Sequence, residues 1–155
     1  MRLAIQVVLA IAIVVLAYFV FQAIRAPWAE YQERLEQEAI GRERMRDVRA
    51  ALVSHRDAYD AYPSTLDSLV TYVKTDTMWT EPELDEDEVR FQPFDADALT
   101  LSARNGEPLN FELVTTDTSN VVIYWLQDPA APEDSIGSRQ LPPNPAQRNA
   151  TSWNE

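Results

Sequence analysis

The chain has 155 residues, three of them glycine and one histidine, no cysteine and a formal net charge of −12. A phosphate backbone requires clustered Lys and Arg, so this balance excludes nucleic acid as a partner. The missing cysteine excludes disulfides, thiolate metal centres and cysteine nucleophiles, and the single histidine excludes any mechanism that needs a pair.

From Leu3 to Ile24 run 22 residues without a charge, with Gln6 and Gln22 near the two ends. As a helix this stretch is about 33 Å long, which matches a hydrocarbon core of about 30 Å. The run is longer than the apolar region of a signal peptide and ends in Arg25-Ala26-Pro27-Trp28, which lacks the form of a small-residue cleavage site. A retained transmembrane anchor is expected, in contact with membrane lipid. Tyr18, Phe19 and Phe21 inside the span, with Trp28 and Tyr31 just beyond it, place aromatic rings at headgroup level. Counting only Lys and Arg, the positive-inside rule would put the C-terminal part in the cytoplasm. The downstream arginines are interleaved with acids and mostly lie beyond the rule's short window, which favours a C-terminal domain outside. The span has no Gly and no alanine pair four apart, so the small-residue packing signature is absent.

Past Pro27, the stretch to about Asp60 is rich in Glu, Arg, Ala and Leu and predicts a long helix. Met45, Val48, Leu52, His55, Tyr59 and Tyr62 recur at three and four residues and draw one stripe that needs a partner surface. Before Met45 the stripe is poorer, which reads as a solvated stalk. Tyr62-Pro63 ends the helix. Ser64 with Asp67 resembles a capping box, and Leu66, Leu69, Val70 and Val73 form the inner side of a second, short helix.

Residues Thr75 to Glu88 are polar and acidic and read as an exposed loop. Four strand-like runs follow, at 89–94, 98–102, 109–114 and 121–126, separated by turn chemistry, and an antiparallel meander is the natural assembly. Pro93 assigns the first of them to an edge. From Asp128 onward five prolines fall in 28 residues with almost no apolar periodicity, a tail either disordered or laid along a partner. The expected architecture is α+β, a transmembrane helix continuing into a long helix packed on a small antiparallel sheet. Its parts are an anchor at 1–26, a helical stalk at 27–44, a head at 45–127 and a proline-rich tail at 128–155.

The order of apolar span, continuous helix, Tyr62-Pro63-Ser64-Thr65-Leu66-Asp67-Ser68-Leu69 and small sheet resembles the type IV pilins and the type II secretion pseudopilins. Met45 to Leu52 and Asp57 to Pro63 also match. The resemblance implies a helix inserted in a filament core and a sheet-bearing head outside. The short basic leader ending in Gly, and the Glu early in the mature helix, have no counterpart here, so the head is expected to be pilin-like without the usual processing and charge pairing. The chain is also similar to a group of single-span membrane proteins of the Bacteroidota and related lineages with no assigned role. The matching phrases are Leu66-Asp67-Ser68-Leu69-Val70-Thr71-Tyr72-Val73-Lys74 and Val89-Arg90-Phe91-Gln92-Pro93-Phe94. That similarity implies an anchored accessory protein.

No catalytic, cofactor-binding or metal-binding residue is assigned. His55 lies on the apolar stripe and reads as a core-edge histidine. The run Glu83 to Glu88 lacks the spacing of an EF-hand loop and reads as solvated, with calcium the alternative. Ser54, Ser64, Ser68 and Ser102 sit in no nucleophile elbow, and three glycines make no phosphate loop. Asn149-Ala150-Thr151 matches the glycosylation sequon. The expected role is a non-catalytic, single-pass subunit of a larger complex in the inner membrane, with a periplasmic head, other complex subunits as partners and no small-molecule substrate. The alternatives are a pilin-like filament or secretion-system component, and a periplasmic module that binds calcium or a basic partner.

Overall fold

The computed structural model describes residues 2–77, 79–81, 90–115, 121–142 and 144–153. The chain divides into two units, residues 1–36 and 37–155. Helix α1, Arg2–Tyr59, begins in the first unit and ends in the second. In the first unit, residues 2–36 are helical throughout, and Ile5–Gln22 is long and apolar enough to cross a membrane, with none of it buried. A helix bonds every backbone group within the segment, the condition that hydrocarbon imposes.

The second unit contains the rest of α1, helix α2 (Leu66–Thr75), strands β1 (Asn110–Thr115), β2 (Val122–Asp128) and β3 (Ala131–Gly137), and a 3₁₀ helix at Pro145–Asn149. Its architecture is α+β, with one antiparallel sheet in the order β1-β2-β3. Within this unit α1 stops at Tyr59 because Asp60 turns into the left-handed region, φ +56°, a conformation that Asp tolerates and that closes helices. The sequence placed the cap of α2 at Ser64 and Asp67. The structure moves it one residue on. The Thr65 side chain accepts from the Ser68 N–H at 3.2 Å, and the Ser68 hydroxyl accepts from the Thr65 N–H at 3.2 Å. Two hydroxyls, each able to donate and accept, make this reciprocal pair. Asp67 instead adds negative charge to the first turn, where the helix dipole favours it.

The predicted stripe is the spine of the core. Met45, Val48 and Leu52, joined by Ala51, are buried in one cluster with Leu69, Tyr72 and Val73 of α2, Leu99 and Leu109, and Tyr124, Leu126 and Ile136 of the sheet. Further along, the stripe emerges: His55 is half-buried and Tyr59 exposed. The stalk reading of 27–44 extends too far. The packed unit begins at Gln37, Gly41 is buried, and Arg44 donates to the carbonyl of Leu101 at 3.0 Å.

Two of the four predicted strands form. β1 and β2 pair from Asn110↔Gln127 to Thr115↔Val122. The run 98–102 instead makes a turn and a single bridge, Leu101↔Pro108. In the run 89–94, the described residues from Arg90 onward are irregular, because side chains of α1 take their polar groups. The Phe91 N–H donates to Glu43 at 2.9 Å and Arg90 is bound to Asp47, so no ladder starts there. Pro93 accordingly lies at no sheet edge.

The tail is the largest difference between expectation and structure. Residues 131–137 form β3, paired with β2 from Asp128↔Ala131 to Trp125↔Gly137 with an irregularity at Gln127/Asp128. Asp128-Pro129 starts the turn, and the Asp128 carboxylate accepts from the Ala130 N–H at 2.9 Å. The outer side of β3 is covered in turn: Gly137 N–H donates to Ala150 O and Ser152 N–H to Ser135 O, around the bridge Ile136↔Thr151. Trp153 packs against the core. The segment is ordered with few apolar residues because its buried acids are paired with arginines.

Candidate functional site

Among the described residues of the second unit, a network of charged side chains joins α1 to the β2–β3 hairpin. Arg104, held in the turn that precedes Gly106, donates to Asp128 at 3.0 Å and to Asp134 at 2.6 Å. Asp134 also accepts from Arg42 of α1 at 3.1 Å, and Arg42 reaches Glu38 one turn earlier at 2.6 Å. The two aspartate side chains are 1% and 2% exposed, so this is a buried ion network rather than a surface pair. The Arg42 guanidinium lies 5.5 Å over the Trp153 ring, which ties the covering segment to the same point.

A second ionic group fastens residues 90–94 to α1. Arg90 makes a two-armed contact with Asp47, at 2.8 and 3.0 Å, and reaches Glu81 at 3.3 Å. The hydrogen bond to Asp47 is the main cause that raises the Arg90 pKa further above its ordinary value. Beside it is a hollow of about 450 Å³ whose lining includes Ile40, Glu43, Arg44, Asp47, Arg90 and Phe94. Of the two cations in its wall, Arg90 is matched by Glu43 and Asp47, and Arg44 donates to the Leu101 carbonyl and to the Gln92 side-chain oxygen. On the other side of the sheet, Arg139 lies 3.7 Å over the Trp125 ring and pairs with Glu112 at 2.8 Å. These sites hold chain to chain.

His55 lies between the rings of Tyr59 and Tyr72, at 4.9 and 5.0 Å, and its Nδ1 is 2.7 Å from the carbonyl oxygen of Ala61. That ring clasps the end of α1 to α2. Ser54 bonds the Tyr72 hydroxyl at 2.8 Å, Ser68 caps α2, and Ser102 accepts from the Arg104 N–H at 3.2 Å, while Ser64 is exposed. The Tyr59 hydroxyl donates to Asp76, the main cause that raises its pKa. Asn149, the sequon residue, ends the 3₁₀ helix half-buried, with its Oδ1 shielded and its carbonyl taken by Arg49 at 3.5 Å. The acidic run Glu83 to Glu88 lies outside the described residues. Among the described residues no group of three or more His, Asp or Glu is arranged to hold a metal.

Sequence reasoning missed the Arg42–Asp134–Arg104–Asp128 network. A signal was present: Asp134 and Ile136 alternate with Glu133 and Ser135, a period of two with an acid in an inward position. Inward acids call for arginines, and the sequence does not say which. Comparison of the chain with family models, with curated proteins and with solved structures finds no match.

Proposed function

We propose that this chain is a non-catalytic, single-pass accessory subunit of a larger membrane complex, anchored in the inner membrane and presenting a pilin-like periplasmic head. The observation that carries this reading is the bare apolar stretch Ile5–Gln22 in the same helix element that supplies the head's core residues Met45, Val48 and Leu52. Such a chain is built to hold a folded unit at a membrane. The paired state of the head's buried charges supports a structural role over chemistry, and His55 is committed to the Ala61 carbonyl. A filament or secretion-system component is the second reading, favoured by the sequence of long helix, short helix and three-stranded antiparallel sheet. Alkaline carbonate extraction followed by purification in mild detergent tests both. Retention in the membrane pellet with a stoichiometric set of membrane proteins is expected. Self-assembled fibres would favour the second reading, and a carbonate-soluble chain would overturn both.

A further inference from the structure

The two edges of the sheet differ. Along β3 the chain covers its own edge, with the Gly137 N–H on the Ala150 carbonyl at 2.9 Å and the Ser152 N–H on the Ser135 carbonyl at 2.8 Å. Along β1 the cover stops short. A hairpin lays residues 100–102 beside 107–109, with the Ser102 N–H on the Glu107 carbonyl at 2.7 Å and the Leu109 N–H on the Thr100 carbonyl at 2.9 Å. A turn closed by the Leu101 N–H on the Ala98 carbonyl, at 3.1 Å, ends this pairing at Leu109, one residue before β1 begins.

Backbone groups alternate in direction along an antiparallel strand, which identifies those left over. The Ser138 N–H bonds the Tyr124 carbonyl, so Tyr124 faces β3, and its neighbour Trp125 faces Glu112 of β1. Asn110, Glu112 and Val114 therefore bond β2, while Phe111, Leu113 and Thr115 turn their N–H and C=O groups outward. Among the described residues nothing bonds these outward groups. The devices that blunt an edge are missing as well: residues 110–115 contain no Pro, Lys or Gly and pair with β2 without a bulge. The edge is an open template about 20 Å long.

We propose that the free edge of β1 takes an extended, basic, amphipathic segment of another protein as a fourth strand. Extended backbone is the complement of a row of alternating N–H and C=O groups, and the side chains beside that row set the rest of the chemistry. Phe111 and Leu113 are half-buried on the core side, and Asn110 and Glu112 are exposed on the other. Arg139 takes Oε2 of Glu112, and Oε1 has no partner among the described residues. From Asn105 to Gln127 there are three acids and no Lys or Arg, in a unit that carries the whole net charge of −12. An added strand with apolar residues on one side and Lys or Arg on the other meets both faces. A second copy would bring two such acidic units together, so charge selects a different protein. This edge lies wholly in the second unit, so it is there whether or not the first unit crosses a membrane.

The test adds a short peptide of alternating valine and lysine to the full chain in nanodiscs of phosphatidylcholine, a lipid without net charge, and reads amide hydrogen exchange by NMR. In the free chain Phe111, Leu113 and Thr115 should exchange fast, and Glu112 and Val114 slowly. The peptide should slow the first three several-fold. Replacing its lysines by glutamates should abolish the effect. Only alternate residues of an added strand bond the edge, so backbone N-methylation of the valines alone and of the lysines alone should differ, one abolishing the effect and the other leaving it. Edge amides as protected as Glu112 in the free chain would overturn the proposal, as would no slowing by the peptide, an equal effect of the glutamate peptide, or equal effects of the two methylated peptides.

Discussion

Of the three glycines, Gly137 is the one whose Cβ the fold has no room for. It closes β3 with φ +82°, and a Cβ there would stand 2.1 Å from the Tyr124 carbonyl oxygen. Backbone strain and a clash with a ladder carbonyl act together, so Gly137→Ala should cost about 2–4 kcal/mol. Gly106 has φ +74° with nothing within 4 Å of its would-be Cβ, and Gly106→Ala should cost about 1 kcal/mol. Urea denaturation of the two variants side by side checks the difference. Tyr124 presents the opposite case. Its side chain is fully buried, and its hydroxyl has no hydrogen-bond partner among the described residues. Removing a buried unpaired hydroxyl relieves a desolvation cost, so Tyr124→Phe should match or exceed the parent in stability, by up to about 1 kcal/mol. Burial is the main cause that raises the Tyr124 phenol above its ordinary pKa, since the charged form is disfavoured there. A folded-state pKa above the unfolded one of about 10 means that the stabilisation is complete below pH 10 and is lost as pH climbs. Stability should therefore decline above about pH 10. The decline should be shallower in Tyr124→Phe, with a remainder from the Tyr59 phenol bonded to Asp76. Melts between pH 8 and 11 read both effects.

Among the elements, what the sequence made legible followed from apolar spacing. Met45, Val48 and Leu52 announced the buried face of α1, Leu69 and Val73 that of α2, and the alternation in 109–114 and the unbroken apolar run 121–126 announced β1 and β2. Ala131-Pro132-Glu133-Asp134-Ser135-Ile136-Gly137 carries only two apolar side chains other than proline, and its fixation comes from ion pairs with residues 30 and 92 positions away in sequence. Periodicity reports burial by hydrophobicity and is silent about burial by charge pairing. For the same reason the candidate site was illegible: each of its four residues reads alone as a surface charge. The run 98–102 misled in the reverse direction, since Leu99 and Leu101 have strand-like spacing but a turn leaves them one bridge. The ionic origin of the β3 contact has a measurable consequence. Asp134→Ala takes one of two acidic partners from Arg42 and from Arg104, which keep Glu38 and Asp128, and should cost about 2–3 kcal/mol, whereas Glu112→Ala, which removes the exposed pair to Arg139, should cost less than about 1 kcal/mol. Equal denaturation midpoints would show that the network adds nothing to the hold of α1 on the sheet.

At the scale of the whole molecule, charge is distributed unevenly: residues 1–36 are neutral and residues 37–155 carry ten Arg and Lys against twenty-two Asp and Glu. Exposed acids repel one another across a Debye length of about 10 Å at 0.1 M salt and about 3 Å at 1 M. The buried pairs of Arg104 are screened far less. Raising sodium chloride from low concentration to 1 M should therefore raise the thermal midpoint of the head, and a falling midpoint would mean that exposed ion pairs, rather than the buried network, govern its stability.

The core brings together residues that ribosomes deliver far apart in time. Met45 of α1 and Ile136 of β3 share one buried cluster, yet 91 residues separate them. At about 5–20 residues per second, the greasy flank of α1 waits roughly 5–18 s between its own synthesis and that of its final strand. On the proposed membrane reading, the apolar stretch emerges first and is already entering the bilayer while this flank is bare. On that reading, nascent chains are tethered beside lipid with an unmatched amphipathic helix, and folding of the head is a race between sheet completion and adsorption of α1 to the membrane surface.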